Sequence, residues 1–275
     1  MNDFSLFLIA ICSSAAQTFL ELRFEKLHLQ KYHMLIQLIQ GSVIIKGDLA
    51  PEGSMQFMVS VQNKNGHVCG GFLISEDFVV TAAHCDDGLK HVILGGHNWK
   101  NSNAKKIEIS NQCKYKNYSD VANGSDIMLL KLANKAPKGE NIKTIPLAEN
   151  DMNLSVNQEC SVAGWGKTVS TGGLADDLMV VNVSIIDHND CLQSWGGLPP
   201  NVICAGGKYT DKGFCQGDSG GPLVCNGKAV GIVSFNKNNN CTYPDVPNVY
   251  TDIREYVDWI KYITIVNSII KKESF

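Results

Sequence analysis

The chain contains 275 residues, of which 44% are hydrophobic and 19% are charged. A chain of this length can bury one large or two small hydrophobic cores, and its charge is too sparse for a disordered tail protein. The formal net charge of −3 provides no global basic field, so we expect no binding to nucleic acid or to an acidic membrane surface.

The N-terminus predicts export from the cell. Residues 4–12, FSLFLIAIC, are a short apolar run followed by the small residues SSAA, as in a signal peptide cleaved near Ala16. We therefore assign residues 1–16 to a signal peptide. Asp3 stands where a basic residue is usual, which leaves a buried N-terminal strand as the alternative. No stretch of the sequence reaches the roughly 18 to 20 apolar residues of a membrane span, so we expect no integral anchor.

Residues 17–43 differ in pattern from the rest of the chain. They are rich in Leu and Ile with scattered charge and contain no turn residue before Gly41, as expected of an amphipathic helix. The segment is a propeptide, a helical appendage or a part that the mature protein lacks.

From Ile44 onward the pattern indicates β structure, with short runs of Val, Ile and Leu between clusters of Gly, Asn, Asp and Ser. In PLVCNGKAVGIVSF, Asn226 and Gly227 supply the positive-φ pair that a two-residue hairpin turn needs. The other runs are QFMVSVQ, HVILGG, KIEIS, DIMLLKL and DLMVVNVSIID. Many short strands with no helices between them indicate antiparallel barrels or sandwiches rather than a doubly wound sheet.

Two further segments organise the chain. The polar residues 147–158, LAENDMNLSVNQ, are the expected seam between two halves. Only the C-terminal stretch has helical periodicity, with Tyr256, Trp259, Ile260 and Ile263 on one face. We expect this helix to dock on the body of the protein, and a membrane-binding helix is the alternative.

The stretch GFCQGDSGGPLVC, residues 213–225, places Ser219 among glycines. A tight turn is one interpretation and a reactive serine is the other. A serine hydroxyl is a poor nucleophile at neutral pH, so it needs a base, a group that orients the base, and donors for the oxyanion that forms. The backbone N–H groups of Gly217 and Ser219 are the candidate oxyanion donors, since glycine lets the backbone turn toward a substrate carbonyl.

His84, in TAAHC, is the candidate base because an imidazole titrates close to neutrality. Asp126, in GSDIMLLKL, is the candidate orienting group, since a carboxylate at the edge of an apolar strand is costly to bury unless it accepts hydrogen bonds. Taken singly, His84 is more simply a structural histidine and Asp126 a surface residue that caps a strand. Together with Ser219 they indicate nucleophilic catalysis.

These motifs resemble those of the trypsin/chymotrypsin-like serine proteases. TAAHC, DIMLLKL, AGWG, ICAGG, CQGDSGGPLVC, IVSF and NVYT occur in the family's order and at its spacing between Ile44 and about Ile263. GDSGG also fits the nucleophile elbow of α/β-hydrolases, but those enzymes place the serine before the acid and the histidine. The order here is His84, Asp126, Ser219, which rejects that fold.

The resemblance implies an all-β fold of two antiparallel six-stranded β-barrels with a C-terminal helix, over a protease domain of residues 44–275. It implies a secreted serine endopeptidase, extracellular or in secretory granules, that cuts proteins or peptides through an acyl-enzyme. Protease inhibitors are expected partners, and we expect a monomer with no cofactor. We also expect no metal, because no acidic pair lies between Gly95 and Lys106, where some relatives hold calcium. Five Asn-x-Ser/Thr sequons agree with secretion, at Asn117, Asn123, Asn153, Asn182 and Asn240.

Ten cysteines indicate an oxidising compartment, and none of them has the CxxC spacing of a zinc site. Cys12 would leave with the signal peptide. Cys113 then stays unpaired, as a buried thiol or, alternatively, as a disulfide link to a second chain. The resemblance implies that the other eight form the bridges Cys69–Cys85, Cys160–Cys225, Cys191–Cys204 and Cys215–Cys241.

Members of this family are made as zymogens, and cleavage exposes a hydrophobic N-terminus. The matching stretch is IIKG, from Ile44 to Gly47, and the resemblance implies that the new α-amino group of Ile44 pairs with Asp218. Two departures bear on activation. Val43 precedes the cut where the family usually has Arg or Lys, and Lys46 replaces a glycine.

The resemblance also implies a substrate pocket whose floor is Gly213, six residues before the serine. Trypsin-like members place an Asp there to pair with substrate Arg or Lys. With glycine a buried cation has no partner, so cleavage after Arg or Lys is disfavoured and small or medium uncharged side chains are expected. The pocket residues are Gly213, Phe214, Gln216, Ser234, Phe235, Asn236 and Asn248.

Within the family, GHNWK and the spacing around GDSGG are most similar to the granzyme and mast-cell protease branch, although the chain lacks the basic charge of those enzymes. A digestive or plasma-type secreted protease is the alternative. A hypothesis from another class is a catalytically silent homologue that serves as a binding module, which the odd activation site and pocket favour.

Overall fold

The structure, a computed structural model, describes residues 44–273, and side chains as far as residue 267. The predicted signal peptide and the segment 17–43 lie outside the described residues.

The first half of the described chain is a closed six-stranded antiparallel barrel with the strand order β2-β3-β4-β7-β6-β5. Some of its strands alternate between buried and less buried residues, as in β5, where every second residue of HVIL is buried. Others are buried on both faces, as in β4. Phe72, Leu129 and Leu130 are fully buried at its centre. The strands are β2 Met58–Asn63, β3 Gly66–Ser75, β4 Phe78–Thr81, β5 His91–Leu94, β6 Lys105–Lys114 and β7 Met128–Leu132.

The second half is a seven-stranded antiparallel sheet with the order β1-β9-β8-β11-β12-β13-β10. An antiparallel bridge between Ile185 and Ala205 joins the ends of β9 and β10, so six of the strands close on themselves and the two-residue β1 adds to the outside of β9. The prediction of two antiparallel six-stranded barrels is confirmed. The strands are β1 Asp48–Leu49, β8 Glu159–Gly164, β9 Met179–Ser184, β10 Val202–Cys204, β11 Pro222–Cys225, β12 Lys228–Phe235 and β13 Val249–Asp252.

The predicted hairpin is β11 and β12, which pair through Cys225 and Lys228. Asn226 and Gly227 form its turn with φ angles of 51° and 74°, the conformation that favours this residue pair. β12 supplies Ser234 and Phe235 to the region of the candidate site, so this turn fixes the register of residues on which the site depends.

Two α-helices accompany the barrels, α1 His188–Trp195 and α2 Val257–Glu273. The expectation that no helix lies between strands is wrong at α1. Its N-cap Asp187 accepts hydrogen bonds from the N–H groups of Asn189 and Asp190, and its eight residues include a single buried side chain, too little for an apolar period to show in the sequence.

The C-terminal helix docks on the first barrel, as predicted. Tyr256, which precedes α2, and Ile260 are buried in the core of that barrel, and Trp259 and Ile263 pack against it. None of the helices formed by residues 44–273 is long and apolar enough to cross a membrane.

The barrels are linked by residues 133–158, between the end of β7 and the start of β8. Ile145 packs into the first core and Ala148 into the second. The predicted seam at 147–158 lies within this link, and its status as a domain boundary stays a prediction.

Four disulfides cross-link the barrels, and they are the pairs that the resemblance implies. They join Cys69 to Cys85, Cys160 to Cys225, Cys191 to Cys204 and Cys215 to Cys241. Cys113 has no disulfide partner among the described residues; it is half-buried against the first core, and burial raises the pKa of its thiol.

Candidate active site

His84 and Asp126 form a tightly held pair, with Asp126 buried and His84 partly exposed. His84 lies in the short 3-10 turn Ala83–Cys85, which the Cys69–Cys85 disulfide ties to β3. Its Nδ1 lies 2.7 Å from Asp126 Oδ2, and its backbone N–H donates to Asp126 Oδ1 over 2.9 Å. Both carboxylate oxygens therefore fix the imidazole, and the second ring nitrogen, Nε2, is left for other chemistry.

Asp126 is buried, with 1% of its side chain exposed. Burial raises the pKa of this carboxyl, but hydrogen bonds from His84 and Ser234 outweigh it, and the net pKa is lowered. The hydroxyl of Ser234 donates to Oδ2 over 2.5 Å. Asp126 is thus an ionised acceptor that holds the proton of His84 on Nδ1.

Ser219 lies in the loop between β10 and β11 of the second barrel, and its backbone reaches the first. The carbonyl of Ser219 accepts a 2.8 Å hydrogen bond from the N–H of Gly70 in β3, next to the disulfide-bonded Cys69. Its side chain is partly exposed, whereas its neighbour Asp218 is fully buried. The loop is therefore anchored through the Ser219 carbonyl and the buried Asp218, while the Ser219 side chain stays partly exposed.

Asp218 is the anchor of this loop. Its Oδ1 accepts from the N–H of Gly166 over 2.7 Å and its Oδ2 from the N–H of Cys215 over 2.8 Å. A Cβ at Gly164 or Gly166 would overlap the carboxyl group, so the AGWG motif leaves space where only glycine fits. Burial raises the pKa of Asp218 to about 7 in spite of both donors.

His67 restrains Gly217, the predicted oxyanion donor. The Nε2 of His67 lies 2.9 Å from the carbonyl oxygen of Gly217, and its Nδ1 lies 2.8 Å from the hydroxyl of Ser60. Burial lowers the pKa of His67 to about 4, so the ring is neutral near pH 7 and donates through Nε2 to Gly217. The sequence does not single out this residue, because one histidine in a strand carries no signal of a partner 150 residues away.

Ile44 and Ile45 lie beside the same loop. The side chain of Ile44 is fully buried in the core of the second barrel. The N–H of Ile45 donates to the carbonyl of Gly213 over 3.0 Å. The stretch predicted to form a new N-terminus thus lies against the residues that precede Ser219, and its ion pair with Asp218 stays a prediction.

The predicted pocket residues divide into two groups. Gly213, Asn236 and Asn248 meet around a tyrosine that the sequence did not single out, Tyr243. The other four have different contacts. Two are aromatic: the Phe214 ring packs edge-on against Tyr250 in the core, and the Phe235 ring packs edge-on against Trp195. Two are polar: the Gln216 amide donates to the carbonyl of Asn239, and the Ser234 hydroxyl donates to Asp126.

One group of side chains of the kinds that bind metal ions lies in this region. Ligand atoms of Cys69, His84 and Cys85 are within 4.8 Å of one another. Both sulfurs are joined in a disulfide, so they offer no thiolate to a metal ion.

Comparison with known proteins shows matches over most of the chain. A family model for trypsin matches residues 44–260. Duodenase-1 of Bos taurus is 37% identical over 209 residues, which are 75% of this chain and 82% of duodenase-1. Trypsin-3 of Homo sapiens is 37% identical over 229 residues, which are 82% of this chain and 74% of trypsin-3. The solved structure of neuropsin, a serine protease expressed in the limbic system of mouse brain, has a TM-score of 0.74 and 32% identity over 80% of this chain and 99% of that chain.

The burial of Asp218 predicts a pH-dependent stability for the full-length chain. Its folded pKa of about 7 lies above the ordinary value of 3.8, so the folded state retains a proton that the unfolded state releases. The stabilisation is complete below pH 3.8 and is lost as the pH rises through 7. Relative to Asp218→Asn, we expect the free energy of unfolding of the wild type to fall by up to about 4 kcal/mol between pH 4 and pH 8.

Urea unfolding of both full-length proteins across this pH range measures the difference. The asparagine variant cancels the contributions of His67 and the other titrating groups, which both proteins share. Parallel pH dependence in the two proteins would show that Asp218 titrates normally.

Proposed function

The chain belongs to the trypsin family, and on that premise we propose that His84, Asp126 and Ser219 are its catalytic triad. As a member of this family it is a serine-type endopeptidase, which hydrolyses peptide bonds in proteins. The observation that carries the assignment of the triad is the double hydrogen bond from His84 to the two oxygens of the buried Asp126.

The geometry supports acyl transfer through Ser219. The Ser219 hydroxyl attacks the carbonyl carbon of the scissile bond while His84 Nε2 takes its proton, and Asp126 stabilises the imidazolium through Nδ1–H. The N–H groups of Gly217 and Ser219 donate to the oxyanion of the tetrahedral intermediate. His84 then gives the proton to the leaving amine, and an acyl-enzyme on Ser219 remains. Water, deprotonated by His84, attacks the carbonyl carbon of that ester, and His84 gives the proton to the Ser219 oxygen as the acid product leaves.

Zymogen control rests on Asp218. A fully buried carboxyl that has two N–H donors and no cationic partner among residues 44–273 has a raised pKa, whereas an ammonium group at the N-terminus of Ile44 would favour the ionised form. Ile44 is already buried beside the second barrel's core, and Ile45 is bonded to Gly213. Cleavage before Ile44 would therefore add one charge to a prepared site and lock Gly217 and Ser219 in place. Val43 indicates an activator that does not require Arg or Lys before the cut.

The pocket disfavours Arg and Lys. Gly213 provides no carboxylate at the floor, Asp211 is exposed at the surface, and the Asp218 carboxyl is occupied by two backbone N–H groups. A buried substrate cation would lack a partner, which costs several kcal/mol. We propose that the enzyme cuts after small or medium uncharged side chains.

The proposed setting is extracellular or a secretory granule. Four disulfides suit an oxidising compartment, and the sequons supply exposed asparagines for glycans. Protein or peptide substrates and protease inhibitors are the proposed partners of a monomer, with Cys113 as the one described thiol that can link a second chain. The exposed sequon asparagines are Asn117, Asn123, Asn153, Asn182 and Asn240.

The triad and its activation predict a defined labelling pattern with a fluorophosphonate probe. Protein that begins at Ile44 should be labelled at Ser219, because its oxyanion hole is assembled. Full-length protein and the Ser219→Ala variant of the Ile44 form should not be labelled. Mass spectrometry of the modified peptide is the readout. Equal labelling of the full-length and Ile44 forms would reject zymogen control, and an unlabelled Ile44 form with all four disulfides intact would reject the triad.

His67 predicts a loss of turnover rather than of substrate binding. In His67→Ala the Gly217 carbonyl loses its donor, so kcat should fall by about 10-fold or more with little change in KM. His67→Gln, which can still donate to Gly217, should recover part of the loss. His188→Ala is the matched control, since His188 is an exposed histidine in α1. Equal kcat in the His67→Ala and His188→Ala variants would contradict the role of His67.

A positive charge on the substrate residue before the cut should lower kcat/KM strongly. Peptides with Arg or Lys there should show kcat/KM at least about 10-fold below those with Ala. A peptide-library profile dominated by Arg or Lys would overturn the assignment of the pocket.

Activity should be the same with and without EDTA.

A further inference from the structure

Tyr243 occupies the floor of the proposed pocket. A Cβ placed on Gly213 would lie 2.5 Å from Cε2 and 2.9 Å from Cζ of the Tyr243 ring, and it would overlap Asn248 Oδ1. The space that a floor side chain would fill at position 213 is thus already taken by an aromatic ring and a buried amide. The pocket is shorter than the residue Gly213 alone suggests.

The phenol of Tyr243 is held by three hydrogen bonds. Its hydroxyl donates to the carbonyl of Phe214 over 2.7 Å, and it accepts from the amides of Asn248 and Asn236 over 2.9 Å and 3.1 Å. One donor and two acceptor positions are the full capacity of a phenol. Burial raises the pKa of Tyr243 to about 12, so the hydroxyl keeps the proton that it donates to Phe214.

The ring of Tyr243 is also packed from behind. It contacts the apolar cluster formed by Ile45 and the Cys215–Cys241 disulfide. Neighbours on both sides therefore fix the ring, and a substrate side chain that displaced it would have to break three hydrogen bonds and leave Asn248, which is fully buried, without its phenol acceptor.

We propose that Tyr243 is a specificity-determining residue, which shortens the substrate pocket so that only small side chains such as Ala, Ser, Thr and Val fit before the scissile bond. The proposal rests on the proposed function and narrows its substrate class, because Leu, Met and aromatic side chains would meet the ring. Tyr243 acts by filling space, and the packing of its ring against Ile45 and the Cys215–Cys241 disulfide holds it there in addition to the hydrogen bonds.

A cavity beside Tyr243 makes the proposal testable by removal of the ring. The cavity measures about 410 Å³ and is lined by Tyr243 together with residues 168–171 and Asp211. In Tyr243→Ala the substrate pocket would open into this space. Larger side chains should then fit, at the expense of the contacts that hold the loop.

The experiment uses protein that begins at Ile44 and peptides that differ in the one residue before the cut. For the wild type we expect kcat/KM for Ala to exceed that for Phe by about 100-fold. Tyr243→Ala should reduce this ratio at least about 10-fold, mainly through a gain with Phe. Tyr243→Phe keeps the ring and should keep the ratio within about threefold of the wild type. Tyr262→Ala, an exposed tyrosine on α2, is the matched control and should leave the ratio unchanged.

Three results would overturn the proposal. They are a wild type that prefers Leu or Phe to Ala, a Tyr243→Ala variant with the wild-type ratio, and a Tyr243→Phe variant that behaves like Tyr243→Ala. Should Tyr243→Ala fail to fold, the wild-type ratio and Tyr243→Phe still decide. Fluorophosphonate labelling of each protein distinguishes failure of the proposed function from failure of the Tyr243 proposal. If Ser219 reacts with the probe but the Ala-to-Phe ratio of kcat/KM does not change in Tyr243→Ala, only the role of Tyr243 is rejected. If no form is labelled, the proposed function fails together with it.

Discussion

The buried carboxyl of Asp218 is the interaction on which the rest of this site depends. A carboxyl with no exposed surface is costly to hold in a protein interior, and here backbone N–H groups of Gly166 and Cys215 meet both of its oxygens. The residues on either side of it are the two proposed oxyanion donors, Gly217 and Ser219. Under the proposed activation, a change of charge at Asp218 would therefore move the two proposed oxyanion donors.

The two barrels each supply one part of the proposed active site. The first holds His84 and Asp126, with the imidazole fixed through both carboxylate oxygens. The second carries the Ser219 loop, and its strand β12 sends the Ser234 hydroxyl across to Asp126. The Ser219 carbonyl also bonds back to Gly70 of β3 and so joins the two barrels beside the proposed nucleophile. The same loop binds Ile45 at Gly213 and borders Tyr243, so the proposed activation and the proposed specificity share these residues.

Local sequence signals were sufficient for much of the fold. Alternating apolar runs located the strands, Asn226 and Gly227 located a hairpin, and the periodicity around Ile260 located the C-terminal helix. The spacing of the motifs led to the family and, through it, to the disulfide pairs. Helix α1 was missed because its signal is a capping Asp187 rather than an apolar stripe.

His67 and Tyr243 were missed for a different physical reason. Their contacts are with residues distant along the chain: Gly217 for His67 and, for Tyr243, Phe214 and Gly213. Tyr243 stands beside Pro244 in a segment that resembles a turn in sequence, and only the folded chain brings its ring against Gly213. Both residues matter because of where the fold places them, and their residue type alone does not indicate it.

A pre-steady-state burst with a p-nitrophenyl ester of an uncharged amino acid would establish whether His84, Asp126 and Ser219 act as the proposed triad. Protein that begins at Ile44 should release nitrophenol in a burst equal to the concentration of enzyme, and rapid-quench mass spectrometry should find the acyl group on Ser219. Ester hydrolysis without a burst, at a rate that Ser219→Ala leaves unchanged, would contradict the account, since the triad would then not form the acyl-enzyme that its geometry supports.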